Sequence, residues 1–197
     1  MLATRHGRGE WYPVDQTGGF IPPGPTGSYY ATGAVPLHNE PILVGDEMLI
    51  FFNAFSRDLQ TPCPQGSRSI GVAKLRRDAF VGVQSSEKEV TGQLTTRPLP
   101  FCGDRLLLNV EQRGSAGEVT VVLLAENGTE RAGFGFADSI PITTDAVRSE
   151  VSWKTKDDIR SLRGTTTRVA IKLRGGAIVY SLSMDCAVAS AQTQEVK

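Results

Sequence analysis

Three cysteines and two histidines are all that 197 residues offer to thiol and soft-metal chemistry. Cys63, Cys102 and Cys186 stand far apart, so the spacing builds neither a disulfide framework nor a zinc site, which needs clustered pairs. Three buried thiols are expected, with one bridge and a spare thiol as the alternative. His6 and His38 cannot by themselves form a His-rich metal centre, and no cofactor is expected. Charge of one sign is lacking as well. Lys plus Arg equals Asp plus Glu, 21 against 21, with nine of each in residues 1–100 and twelve of each in 101–197. No basic lobe hides inside this average, which argues against nucleic acid and anionic membrane as partners. No apolar run approaches the ~18 residues that span a bilayer, and residues 1–11 are polar, without the apolar stretch of a secretory leader. Gly-rich phosphate fingerprints that open a helix are missing, and histidine is too rare to support a Ser-His-Asp assembly.

What is present is alternation. Residues 168–174 place Val169, Ile171 and Leu173 on one face, and residues 178–184 place Ile178, Tyr180, Leu182 and Met184 on one side. Gly175-Gly176 between them suits the positive φ angles of a tight primed turn, so 168–184 is expected to be a β-hairpin. Glu118 to Leu124 alternates likewise, and Asn127-Gly128 is expected to return the chain through 129–134 as a second hairpin. Residues 92–99 and 105–111 add strands. In 142–163, Val147, Val151 and Trp153 at period two predict strand, followed by one helical turn with Asp157 as N-cap and Ile159 and Leu162 inward, ending at Gly164. The succession of short strands over 80–184 is the pattern of an antiparallel β-sandwich or jelly roll.

The chain before it differs. More than half of the eleven prolines lie in residues 13–41, an expected irregular loop. Ile42–Val44, a turn at Gly45-Asp46-Glu47, the apolar stretch 48–55 and a strand at 70–75 follow. Three strands bury little alone, so Phe51, Phe52 and Phe55 are expected to need a partner sheet from outside the chain.

In order and spacing, Gly-Asp-Glu at 45–47, Arg-Arg-Asp-x-Phe at 76–80, Leu-Thr-Thr-Arg-Pro-Leu at 94–99, Gly-Asp-Arg-Leu-x-x-Asn at 103–109 and the closing Tyr180-Ser181 form a pattern. From about Gly19 to Leu182 the chain resembles the C-terminal part of large bacterial proteins similar to five-bladed β-propeller glycoside hydrolases of families 32, 43 and 68, which carry a C-terminal β-sandwich. The resemblance implies an all-β chain: a tail (1–18), the partial last blade of a β-propeller (19–79), a jelly-roll-like β-sandwich (80–186) and a second tail (187–197). It implies that the sequence is the C-terminal piece of a longer, extracytoplasmic protein. Its partners would be the missing propeller blades and a glycan or polysaccharide, and its role would be to close and buttress the propeller; the alternatives are that it contributes substrate-contacting loops to a glycosidase site completed by the missing blades, or that it is a free-standing carbohydrate-binding module.

Glycoside hydrolysis needs two carboxyl groups, about 5–5.5 Å apart for retention and about 6.5–9.5 Å for inversion. The resemblance places those carboxylates on earlier blades, so no catalytic residue is expected here. Asp46 and Glu47, the adjacent acidic pair of the blade-like part, fall on a Gly-led turn and are expected to be solvated. Tyr29, Tyr30 and His38 are the candidate substrate-binding residues. The tyrosines present faces suited to the C–H face of a pyranose or staple the Pro-rich loop to its blade; His38 binds sugar hydroxyls or is a surface loop residue. Asp58 departs from the polar or His-containing loop of the relatives. Trp153 is expected in the core, with a sugar platform as the alternative. Asp138 and Asp145 are read as loop hydrogen-bond acceptors, with Ca²⁺ ligation as the alternative. Asn127-Gly128-Thr129 fits an N-glycosylation sequon and, equally, a turn.

Overall fold

The structure, a computed structural model, describes residues 2–5, 11–15, 20–37, 40–57, 68–85, 91–114, 116–156 and 158–185. The protein is all-β: the sheets are antiparallel, none closes into a barrel, and the described residues form no α-helix. The chain divides into two compact units, Met1–Arg77 and Asp78–Lys197. His38, Asp58, Asp157, Cys63, Cys186 and the expected tail 187–197 lie outside the described residues.

In the first unit, β1 (Leu2–Arg5) pairs with β2 (Trp11–Asp15), within the stretch expected to be a tail. A second sheet holds β3 (Gly33–Pro36), β4 (Ile42–Val44), β5 (Glu47–Phe55) and β6 (Arg68–Arg76). Strand β6 runs along one whole edge of β5, while β3 and β4 share the other edge, so the sheet is three strands wide. Gly45, at φ 59°, makes the tight link from Val44 to Glu47. One face of this sheet is buried, with Met48, Phe52 and Ala54 at 4%, 3% and 0% exposure. Phe52 therefore finds its cover inside the chain, contrary to expectation. Its ring lies over its cross-strand partner Gly71, where a Cβ would stand 2.3 Å from the ring, and Tyr30 of the Pro-rich loop meets it edge-on at 6.1 Å. Phe51 and Phe55, on the other face, are half-buried.

The second unit is a sandwich. Its first sheet runs β12 (Ala146–Glu150), β10 (Leu106–Gln112), β14 (Ala177–Met184), β7 (Val83–Gln84). Its second runs β11 (Glu118–Leu124), β13 (Thr166–Arg174), β8 (Gly92–Thr95), with β9 (Leu99–Pro100) also on β13. Leu106, Leu108 and Val110 from one sheet and Val121, Ile171 and Leu173 from the other share a single core. Thr96 bridges the gap between β8 and β9: its N–H donates to the Val169 carbonyl at 2.9 Å and its hydroxyl accepts the Val169 N–H at 3.0 Å. In the Gly-Asp-Arg-Leu stretch, a Cβ on Gly103 would lie 2.8 Å from the Asp185 backbone, so only glycine permits that approach.

Three expectations about this unit are corrected. Strands 166–174 and 177–184 exist, but they are not a hairpin: β13 pairs with β11 and β8, and β14 pairs with β10 and β7. Gly175-Gly176 carries the chain from one sheet to the other. Both residues have positive φ, 65° and 85°, and a Cβ on either would collide with backbone of the β10–β11 connection, at Ala116 and Arg113. That connection also crosses between sheets, so two arches nest together, joined by the Arg113 N–H donating to the Gly176 carbonyl at 3.2 Å. The second correction concerns which residues of β14 face inward. Ala177 and Val179 enter the core, then a register shift opposite Asn109 and Val110 re-phases the strand so that Leu182 and Met184 pack inward too. A bulge does this by adding one residue to a period-two pattern. The Asn127-Gly128 turn forms, with Gly128 at φ 90°, but the return is a single bridge, Leu124 to Glu130, rather than a strand. The helical turn is a 3₁₀ turn, Arg160–Leu162, with Ile159 and Leu162 buried.

The bulge leaves Tyr180 outward, where its hydroxyl donates to Glu111; the same carboxylate accepts from Arg113 Nε at 2.7 Å. Burial, then the bond to the Glu111 carboxylate and its charge, raise the Tyr180 phenol above its ordinary 10.0. The folded state thus holds this proton more tightly than the unfolded chain does. The resulting stabilisation is complete below pH 10.0 and disappears as pH climbs through the raised value. Urea midpoints taken from about pH 9 to 11 are expected to fall less steeply for Tyr180→Phe than for the parent protein; parallel curves would remove Tyr180 as the cause.

Candidate functional site

The Pro-rich loop 20–32 holds two of the three residues the sequence singled out. The Gly24 N–H donates to the Tyr30 carbonyl at 3.0 Å, and the Ser28 N–H donates to the Pro25 carbonyl at 3.0 Å, closing the loop on itself. A Cβ on Gly24 would meet the Tyr30 ring at 2.6 Å, so the ring lies directly on the loop backbone. Tyr30 is therefore the staple, held between Gly24 and Phe52. Tyr29 behaves otherwise: it is 48% exposed and rests against the Tyr30 ring at 4.9 Å, tilted by 57°. Of the pair, Tyr29 presents a face to solvent.

Asp46 and Glu47 sit at the exposed β4–β5 turn. Glu47 is paired with Lys74 at 3.1 Å, and the Asp46 backbone carbonyl accepts the Arg77 N–H at 2.8 Å. This is turn and edge chemistry rather than a pair of carboxylates flanking a cleft. Beside the turn, the open face of the sheet carries Val35, Ile42, Val44, Ile70 and Val72, between 48% and 70% exposed. The registers put Val35 and Ile70 on either side of Asn53, and Val72 beside Phe51. Among the described residues these apolar side chains are left without cover, on a face that also carries the Glu47–Lys74 pair and Asn53.

In the sandwich, Trp153 is fully buried. Its indole N–H donates to the Val121 carbonyl at 3.0 Å, and the Val121 N–H donates to the Ser139 hydroxyl at 3.0 Å. Side chains here replace a neighbouring strand along the β11 edge, and no sugar platform remains. Asp138 accepts the Gly135 N–H at 3.3 Å and Asp145 accepts the Gln112 N–H at 3.2 Å, so both carboxylates bond loop or strand backbone. No group of three or more His, Cys, Asp or Glu side chains able to hold a metal occurs among the described residues. The Asn127 carboxamide accepts both the Thr129 N–H and the Thr129 hydroxyl, at 3.1 and 2.8 Å. Cys102, expected as a buried thiol with a bridge as the alternative, is exposed and disulfide-bonded.

Sequence reasoning missed one feature. The solvent face of β8, β11 and β13 forms a trough of about 510 Å³ lined by Thr91, Gln93, Glu118, Thr120, Lys172 and Arg174. Thr120, Lys172 and Gln93 stand in one cross-strand row, and Glu118 and Arg174 in the next but one. Arg174 donates to Glu118, which raises the Arg174 guanidinium above its ordinary value, chiefly through that hydrogen bond. The Lys172 ammonium lies 3.5 Å from the centre of the Phe136 ring.

Comparison with known protein families, with curated proteins and with solved structures finds no match for the chain.

Proposed function

We propose that this chain is a non-catalytic portion of a glycoside-hydrolase-like protein, in which the sheet of β3 to β6 belongs to a propeller blade and the sandwich buttresses it. The observation that carries the reading is the open apolar face of that sheet. Val35, Ile42, Val44, Ile70 and Val72 share one face, with exposed apolar side chains of the kind that sheets bury against a neighbour. The antiparallel pairing is compatible with it: β3 and β4 share one edge of β5 and β6 takes the other, so the sheet is three strands wide where a blade has four. Tyr29, exposed on its stapled loop, is the residue of this unit best placed to stack on a sugar ring. The bonded state of Cys102 supports an oxidising, extracytoplasmic setting.

Two measurements test this. Coding sequence upstream of Met1 is expected to continue in frame into further blades; an upstream region without them overturns the reading. The chain itself is expected to hydrolyse no aryl-glycoside or oligosaccharide. Turnover abolished by Asp46→Asn or Glu47→Gln would make the chain an enzyme instead.

A further inference from the structure

We propose that the trough across β8, β11 and β13 is a binding site for the hydroxyl groups of a neutral oligosaccharide. The inference concerns the sandwich unit alone and goes beyond the blade reading, so either can fail without the other.

The volume, about 510 Å³, falls in the range of small-molecule sites. Its chemistry narrows the ligand. A sugar hydroxyl both donates and accepts, so its site needs donors and acceptors side by side at fixed spacing. The Gln93 carboxamide offers both, the Thr91 and Thr120 hydroxyls offer both, and the Arg174–Glu118 pair sets a donor fork beside an acceptor. Except for Thr91, which precedes β8, these groups come from three strands in register, which holds them at the spacing of the sheet. Their rotamers are restrained as well. Arg174 is tied to Glu118, and the Lys172 ammonium is held over the Phe136 ring.

Charge separates this ligand from an anion. The trough holds two cations, Lys172 and Arg174, against one carboxylate, Glu118, and the guanidinium is already neutralised by that carboxylate. A phosphate or sulfate would have to displace Glu118 or accept its repulsion. A neutral glycan uses the ion pair as it stands.

The test is titration of the full, isotope-labelled chain with cellohexaose, xylohexaose, maltohexaose and inulin oligomers, followed by amide resonance shifts. At least one of these is expected to shift Gln93, Thr120 and Lys172. Gln93→Ala and Thr120→Val, both on the solvent face, are each expected to weaken binding about tenfold. Ser161→Ala, exposed on the 3₁₀ turn, is expected to leave it unchanged. Thermal midpoints confirm that the variants are folded, and if one variant fails to fold the other carries the test. No shift with any of the four probes overturns the proposal. So do shifts confined to other residues, affinity unaffected by the folded trough variants, or, when heparin is titrated in parallel as the anionic control, binding to heparin alone with loss at raised salt.

Discussion

Replacing Trp153 with alanine is expected to cost about 4–8 kcal/mol, enough to unfold the sandwich of a marginally stable protein. Two effects add. The first is the cavity. Trp153 is fully buried and meets Phe134 edge-on at 5.0 Å, and truncating a buried aromatic side chain costs about 3–5 kcal/mol. The second is the Val121 carbonyl, which loses the indole N–H as donor and is left unpaired in the interior, a further cost of about 1–3 kcal/mol. Trp153→Phe separates the two, since it keeps most of the ring volume and removes the donor. Denaturant unfolding followed by circular dichroism is expected to rank the proteins parent, Trp153→Phe, Trp153→Ala. A phenylalanine variant as stable as the parent would mean that the indole hydrogen bond contributes nothing at the β11 edge.

The second large effect belongs to the other unit. The parent chain is expected to self-associate as its concentration rises, because Val35, Ile42, Val44, Ile70 and Val72 leave an apolar sheet face in water. Strand β6 adds to this tendency: pairing with β5 uses one side of its nine residues and leaves the other unpaired among the described strands. The double variant Ile70→Lys, Val72→Thr interrupts the face at its most exposed point, where Ile70 is 70% exposed. It removes no buried contact, so the fold is expected to survive. Sedimentation velocity is expected to show larger species for the parent and a single monomer for the variant at equal concentration. A parent chain that stays monomeric across the accessible range would show that this surface tolerates water unaided.

Strand positions were legible because period-two alternation follows from the pleat itself. Val119, Val121 and Leu123, or Val169, Ile171 and Leu173, face one core because successive side chains point to opposite sides. Trp153 was legible in the same way, two residues beyond Val151 on the core face, whereas Val147 is absent from the core because the pairing of β10 with β12 shifts register between Leu108 and Val110. Pairing was not. Gly175-Gly176 has the φ angles of a hairpin turn, yet local sequence does not specify whether the two strands bond to each other or to strands some 60 residues upstream. The re-phasing of β14 at Tyr180 escaped for a related reason: a bulge is set by the partner strand. The trough was invisible because Gln93, Thr120 and Lys172 are far apart in sequence and meet only through register. Of the residues first singled out, Tyr29 and Tyr30 look alike in sequence, and only the close approach of Gly24 distinguishes staple from exposed face.

The nested arches also bear on how the sandwich assembles. Because neither Gly175-Gly176 nor the β10–β11 connection joins strands that bond to each other, neither arch is rewarded by its own hydrogen bonds when it closes. The bonds that join these four strands to one another come only when β10 meets β14 and β11 meets β13. Loop-closure entropy is spent on both arches before any ladder repays it, which places the sandwich among the slow, high-contact-order folders, on the order of milliseconds to seconds. The collapse that forms the core is then also the step that chooses the topology.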